Sequence, residues 1–314
     1  VPPFQGGINV LLTGSEPAYQ RKANLLFNRL VGLKVNSVAL AFPVYQDGRT
    51  ASTVHSGADT PSDQELADVI DLAHAYRLAV ALRPLLDENS LGSGHWRGDI
   101  APSNVPSWFS SYTALLVNVA QLAQQHNAEV VVLGGEFDSM ETYTDRWTAL
   151  AHAVRQVYLG KLTYASNVTE APAVQVRRVG FWGALNFVGA DLYLQSSAPA
   201  GATADQLAQS WQAGLQQFLS AAGASHLPVL VTEIGVRAQV NAHQRPWVWD
   251  NGGAEDLQEQ SRFYQAACAS MPDHVRGIYW WQTSLDGASD PSGFNPLGKP
   301  AEQQLSSCVP APAP

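Results

Sequence analysis

The chain of 314 residues is poor in charge, in sulfur and in long apolar runs. Charged side chains make up only 14%, and 27 acidic residues against 18 basic ones leave a net charge of −9. Without clustered Lys and Arg nothing can displace counterions, which excludes nucleic acid and an anionic membrane as the main partner. The acidic surface serves solubility. No stretch approaches the roughly 20 consecutive apolar residues that cross a bilayer, so no membrane insertion is expected.

Two cysteines occur, Cys268 and Cys308, with no CxxC or HxxxH spacing around them, so metal binding is not expected. They fit a single disulfide or two buried thiols. Both fall on what read as the last two helices, neighbours in a barrel, which favours the bridge. The eight histidines are scattered without a pair at metal spacing, and only His95 and His243, in two long loops, are placed to reach a substrate. A GxSxG nucleophile elbow is missing, which removes the usual esterase chemistry. The opening "VPPFQGG" carries no starter methionine, as expected of a secreted protein that has lost its signal peptide.

What is present is an alternation. Short β-branched runs at 7–14, 36–46, 77–86, 128–136, 161–167, 187–195, 227–235 and 275–282 read as strands. Segments of helical period lie between them, at 18–33, 108–127, 145–158 and 255–271, with a short last helix at 300–307. Two further helices open at capping boxes, Ser62 to Glu65 and Thr203 to Gln206; the second buries Leu207, Trp211, Leu215, Phe218 and Leu219 on one face. The connection after the fifth strand shows no clear pattern. Eight strands that are apolar almost throughout, separated by helices, predict an α/β fold, a single (β/α)8 TIM barrel. An open doubly wound sheet is the rival, but no glycine-rich phosphate loop follows the first strand. The barrel domain is expected to span 1–308, and the tail "VPAPAP" at 309–314 to be a disordered end or linker stub.

Active sites of such barrels form at the C-terminal ends of the strands. There "VVVLGGE" ends in Glu136 and "VLVTE" in Glu233, on the fourth and seventh strands. A retaining glycosidase needs two carboxyl groups about 5 to 5.5 Å apart, one as nucleophile and one as general acid and then base. Like-charge repulsion keeps one of them protonated. Asp138 and Glu141 lie just beyond Glu136, where carboxylates commonly serve a helix dipole, and that role is expected for both. The long segments 87–107 and 236–254 are expected to be functional loops at the same end of the barrel.

Glutamates ending strands four and seven mark clan A of the glycoside hydrolases, and the chain resembles family 113, whose characterised members are β-mannanases. The resemblance rests on "TPSDQELADVIDLAH", "HWRGDI", "WFSSYTALL", "VVVLGGEF", "LTYASN", "VGADLYL", "VTEIGVR" and "GIYWW", which span most of the chain in order. It implies Glu136 as acid/base and Glu233 as nucleophile. It also implies Tyr193 as a hydrogen-bond partner of the nucleophile and Trp281 as the floor under the reacting sugar. With a period of 2, Trp280 and Trp281 face opposite ways, and Trp281 is expected inside. The resemblance breaks at Gly135, where many clan members carry an asparagine that binds the sugar 2-hydroxyl, and at "RPLLDEN", where a histidine-containing stretch is expected.

Asn167, at the end of strand five, is a candidate hydroxyl ligand, and Trp96, Arg97, Trp247 and Trp249 are candidate subsite walls, because sugars pack their CH faces on aromatic rings. The sequence therefore predicts a retaining glycoside hydrolase acting on a β-linked carbohydrate, with β-1,4-mannan first, without a cofactor. A non-catalytic carbohydrate-binding barrel and a transglycosylase using the same carboxylates are the alternatives.

Overall fold

A computed structural model describes residues 2–14, 17–272, 274–287 and 290–309. Eight strands close a barrel in sequence order: β1 (Gln5–Leu11), β2 (Ser37–Val44), β3 (Ala79–Leu86), β4 (Val130–Gly135), β5 (Lys161–Val168), β6 (Val188–Leu192), β7 (Val229–Ile234) and β8 (Val275–Ser284). Every neighbouring pair is parallel, β8 back to β1 included. Around them lie α1 (Tyr19–Gly32), α2 (Asp63–Ala75), α3 (Val105–Gln125), α4 (Thr144–Arg155), α5 (Pro172–Arg178), α6 (Ala204–Gly223) and α7 (Leu257–Ser270). This is the expected TIM barrel.

The strands are buried on both faces because helices cover the outside and side chains fill the inside. Between strands and helices runs one large apolar layer that includes Leu40, Leu82, Val131 and Leu162. A small apolar cluster of Ala39, Ala81, Val130, Phe187, Leu230 and Tyr279 fills the barrel. A second, with Ala41, Leu85, Tyr193, Trp281 and Phe294, packs against Trp247 of the seventh loop. Since side chains alternate along a strand, Ala81 and Leu85 of β3 bracket an inward position, Arg83.

Both capping boxes form, Ser62 with Glu65 and Thr203 with Gln206. Trp211 is buried against Phe263 of α7, as a core residue should be. Three expectations change. The undefined connection after β5 contains α5, only seven residues long and started by Pro172, too short to show helical periodicity. The last expected helix is a 3-10 turn at Pro300–Gln304. Cys308 therefore lies just past a helical turn rather than on a helix, and it is bridged to Cys268 of α7. Of the proline-rich tail, only Val309 falls among the described residues.

Candidate active site

The end of β4 is shaped by three successive residues. Gly134 has φ of 151°, and a Cβ there would come within 2.8 Å of the Phe137 ring, so only glycine fits. A Cβ on Gly135 would meet Ala165 at 3.3 Å and Asp191 Oδ2 at 3.4 Å. A side chain at this position, where many clan members carry asparagine, would press closely on the side chains of β5 and β6. Glu136 follows in the left-handed conformation, φ 58°, rare for a residue with a side chain and costing about 1–3 kcal/mol. Its N–H donates to Ala165 O at 2.8 Å, which ties the turn to β5.

Loop residues meet this carboxylate. Arg97, in a 3-10 turn between β3 and α3, places Nη1 3.3 Å from Glu136 Oε2 and Nη2 3.2 Å from Glu88 Oε1. Glu233, on β7, has entirely different partners. Arg83 Nη2 donates to Glu233 Oε1 and, at 2.8 Å, to Asp191 Oδ2, while Nη1 donates to Thr232 O at 2.9 Å. Tyr193 OH donates to Glu233 Oε2 at 2.8 Å. The Thr232 hydroxyl donates to Asp191 Oδ1 at 2.8 Å, and Asn9 Nδ2 to Thr232 O at 3.0 Å. Both oxygens of Glu233 are thus fixed by donors.

Burial raises both carboxyl pKa values. Glu136 is pushed well above the usual range, first by burial and then by the negative charge of Asp191, against which Arg97 pulls. Glu233 is lifted by burial to about 7, with Arg83 as the main restraint. Direct contact with Arg83 and Tyr193 favours ionisation of Glu233, and Glu136 keeps its proton more strongly. An unequal pair of this kind can supply an acid and a nucleophile.

Both glutamates line one cavity of about 450 Å³ at the C-terminal end of the barrel. All seven residues expected to bind substrate line it too: Trp96, Arg97, Asn167, Tyr193, Trp247, Trp249 and Trp281. Trp280 points outward and stacks on Tyr264 of α7, with ring centroids 3.7 Å apart. A groove of about 800 Å³ between α3 and α4, on the outer wall, contains neither glutamate.

Glu88, Thr169, Glu170 and Phe294 also line the cavity and were not expected. Nor were Arg83 and Asp191. Their signal was available, since a lone arginine in "AVALRPLL" and a lone aspartate in "VGADL" sit in strands otherwise apolar, and a buried charge requires a partner. Other expectations are corrected. Asp138 and Glu141 do not serve a helix dipole: both pair with Arg178 of α5, at 3.2 and 3.1 Å. His243 is fully buried, bonded to Glu259 and to Ala198 O, and His95 pairs with Asp99 at 2.9 Å; neither lines the cavity. Among the described residues no group of side chains is arranged to hold a metal ion.

No curated relative matches the sequence. Among solved structures, the family 113 β-mannanase AaManA from Alicyclobacillus acidocaldarius, in complex with ManMIm, superposes with a TM-score of 0.84 at 25% identity, covering 96% of each chain. A family 113 β-1,4-mannanase gives 0.84 at 24% identity over 98% of each chain, a likeness of fold. A family 5, subfamily 18 protein from Streptomyces cattleya, in complex with Manβ1-4GlcNAc, shares the fold at 0.59 and 14% identity, over 98% of this chain and 82% of that one. The sequence model of Glycoside Hydrolase Family 113 matches residues 13–292, a span that runs from just after β1 to beyond β8 and takes in both glutamates. The chain is a glycoside hydrolase and belongs to family 113.

Proposed function

We propose that this glycoside hydrolase cleaves β-1,4-linked mannan with retention of configuration. The observation that carries the reading is the pair Glu136 and Glu233 in one cavity, held by different partners that leave one carboxyl protonated and the other ready to ionise. Glu233, oriented by Arg83 and Tyr193, attacks the anomeric carbon as Glu136 gives its proton to the leaving oxygen. The resulting carboxylate of Glu136 faces Arg97 and accepts a proton from the water that releases the sugar.

The family 113 β-mannanase at 25% identity supports mannan as the substrate. So do the four tryptophans on the cavity wall, which offer apolar faces to pyranose rings. Gly135 carries no amide for the 2-hydroxyl, and Asn167 offers one from β5. The Cys268–Cys308 bridge supports secretion into an oxidising compartment.

The test is a product scan of the wild type and Glu136→Ala on mannan, glucan, xylan, galactan and mannotetraose, read by mass and chromatography, with the anomer first released read by proton NMR. The expected outcome is manno-oligosaccharides of retained configuration from the wild type and none from the variant. Products longer than the starting oligosaccharide identify a transglycosylase. Silence on every polymer overturns mannan as the substrate and favours either another glycan or a carbohydrate-binding barrel.

A further inference from the structure

The Glu136–Phe137 turn stands on a buried polar group that the reaction itself does not use. Glu136 holds a left-handed backbone, so the segment following it needs external support if its carboxyl is to stay at one place in the cavity. Two peptide N–H groups are available for that. The first, on Glu136, is bound to β5 through Ala165 O. The second, on Phe137, donates at 2.9 Å to a side chain, the Tyr164 hydroxyl, which is fully buried on β5.

A hydroxyl that accepts a bond still has its own proton to place. Tyr164 donates it to Glu141 Oε1 at 3.1 Å. Glu141 is itself completely buried, and its other oxygen lies 3.1 Å from Arg178 Nε, on α5. The same guanidinium reaches Asp138 Oδ2 at 3.2 Å, so the loop from 136 to 141 is gripped at two points by one residue of the next helix. Burial lifts the Glu141 carboxyl to about 8, with Asp138 adding to the rise and Arg178 and the Tyr164 hydroxyl pulling against it. None of Tyr164, Glu141 and Arg178 lines the cavity.

We propose that Tyr164, set by Glu141 and Arg178, is a positioning residue for Glu136: by fixing the Phe137 N–H it holds the left-handed turn in which the acid/base carboxyl reaches the glycosidic oxygen. The inference rests on the acid/base assignment of Glu136. Its consequence is selective. Losing the Tyr164 hydroxyl frees the Phe137 N–H and displaces the acid, while Glu233 with Arg83 and Tyr193 is untouched.

Leaving groups separate these two functions. Mannotetraose needs its leaving oxygen protonated, whereas 2,4-dinitrophenyl β-mannobioside expels dinitrophenolate without acid assistance. Wild type, Glu136→Ala, Tyr164→Phe, Glu141→Ala and Glu141→Gln are compared on both substrates, with thermal melting to confirm folding. Tyr164→Phe and Glu141→Ala are expected to lose about tenfold or more in kcat on mannotetraose with little change in KM. On the dinitrophenyl glycoside they should keep glycosylation near the wild-type rate, measured as the pre-steady-state burst. Glu141→Gln keeps the acceptor for Tyr164 and should retain most activity.

Equal losses on both substrates mean that the group only supports the fold, and overturn the proposal. So does an unchanged rate on mannotetraose with Tyr164→Phe. If Glu141→Ala does not fold, Tyr164→Phe, which removes a single oxygen, decides alone. If Glu136→Ala itself lacks the leaving-group signature while Tyr164→Phe shows it, the acid/base assignment falls and this inference with it. A wild type inert on both mannosides overturns the substrate reading and this inference together.

Discussion

Arg83 is almost completely enclosed, and its hydrogen bonds go to protein oxygens on β6 and β7. Taking a guanidinium and two carboxylates out of water costs several kcal/mol per ion, and the arrangement survives because each charge meets a geometric partner. Removing one partner leaves the others uncompensated, at about 3–5 kcal/mol. Arg83→Met should therefore lower the melting temperature and also move the acidic limb of the kcat/KM profile to higher pH. Without the cation that restrains its rise, Glu233 ionises only in more alkaline solution. An acidic limb that stays in place while the protein remains folded would show that Arg83 does not set the nucleophile's charge. At this scale much was legible: both glutamates and the seven expected substrate-binding residues line the cavity, because strand ends and long βα loops can be located from hydrophobic pattern alone, though His95 and His243 do not line it. Arg83 and Asp191 each stand out as a lone charge in an apolar strand, but strands buried on both faces carry no alternation to say that these side chains point into the barrel.

Elements gather around the site in ways that single residues do not reveal. The segment after β8 returns to the cavity, where Phe294 joins the wall and packs edge-on to Trp249. Gln260 of α7 holds it in place, its amide donating to Val236 O at 2.9 Å and Phe294 O at 2.8 Å, and Lys299 Nζ donates to Gly293 O at 2.8 Å. The disulfide fastens the same region by joining α7 to the turn after Pro300–Gln304, across a separation of 40 residues. Closing a loop of that length removes chain entropy worth about 4 kcal/mol. Reduction of the bridge should lower the melting temperature by roughly 5 °C, followed by calorimetry with and without dithiothreitol. A transition that does not move would mean that the C-terminal segment contributes nothing to global stability. The helix α5 shows the limit of periodicity: two turns give no repeat to read, yet α5 supplies the Arg178 that grips the loop after Glu136.

Over the whole molecule, proton uptake on folding links the site to stability. Glu233 is raised to about 7 and Glu141 to about 8, and Glu136 is raised as well, each chiefly by burial, whereas in the unfolded chain all three titrate near 4.5. The folded state then binds more protons than the unfolded state above pH 4.5 or so. The contribution of these three carboxyls to stability is fullest below that value and is lost as pH rises toward about 8. His243 adds in the same direction: burial lowers its pKa, but Glu259 and Ala198 O outweigh that and leave it raised. Melting temperature should accordingly fall between pH 5 and pH 8, and Glu141→Gln, which resembles the protonated carboxyl, should flatten part of the fall. Parallel curves for wild type and variant would show that Glu141 titrates alike in both states. The weak charge of the sequence bears on none of this, because the groups concerned are buried.

Hydrophobic periodicity by itself determined the number of strands, their order and the closed barrel, since eight parallel strands separated by helices have few other ways to bury both faces. It also located the two glutamates, because the C-terminal end of a strand is a position along the chain. What only the tertiary structure decided was who stands beside them. Arg83 meets Glu233 across 150 positions of sequence, and Arg97 meets Glu136 across 39. Such meetings depend on how the barrel closes and how far its strands are staggered, and the strand pattern records neither. The acid and the nucleophile are told apart by those neighbours, through burial, charge and hydrogen bonds that exist only once the chain is folded.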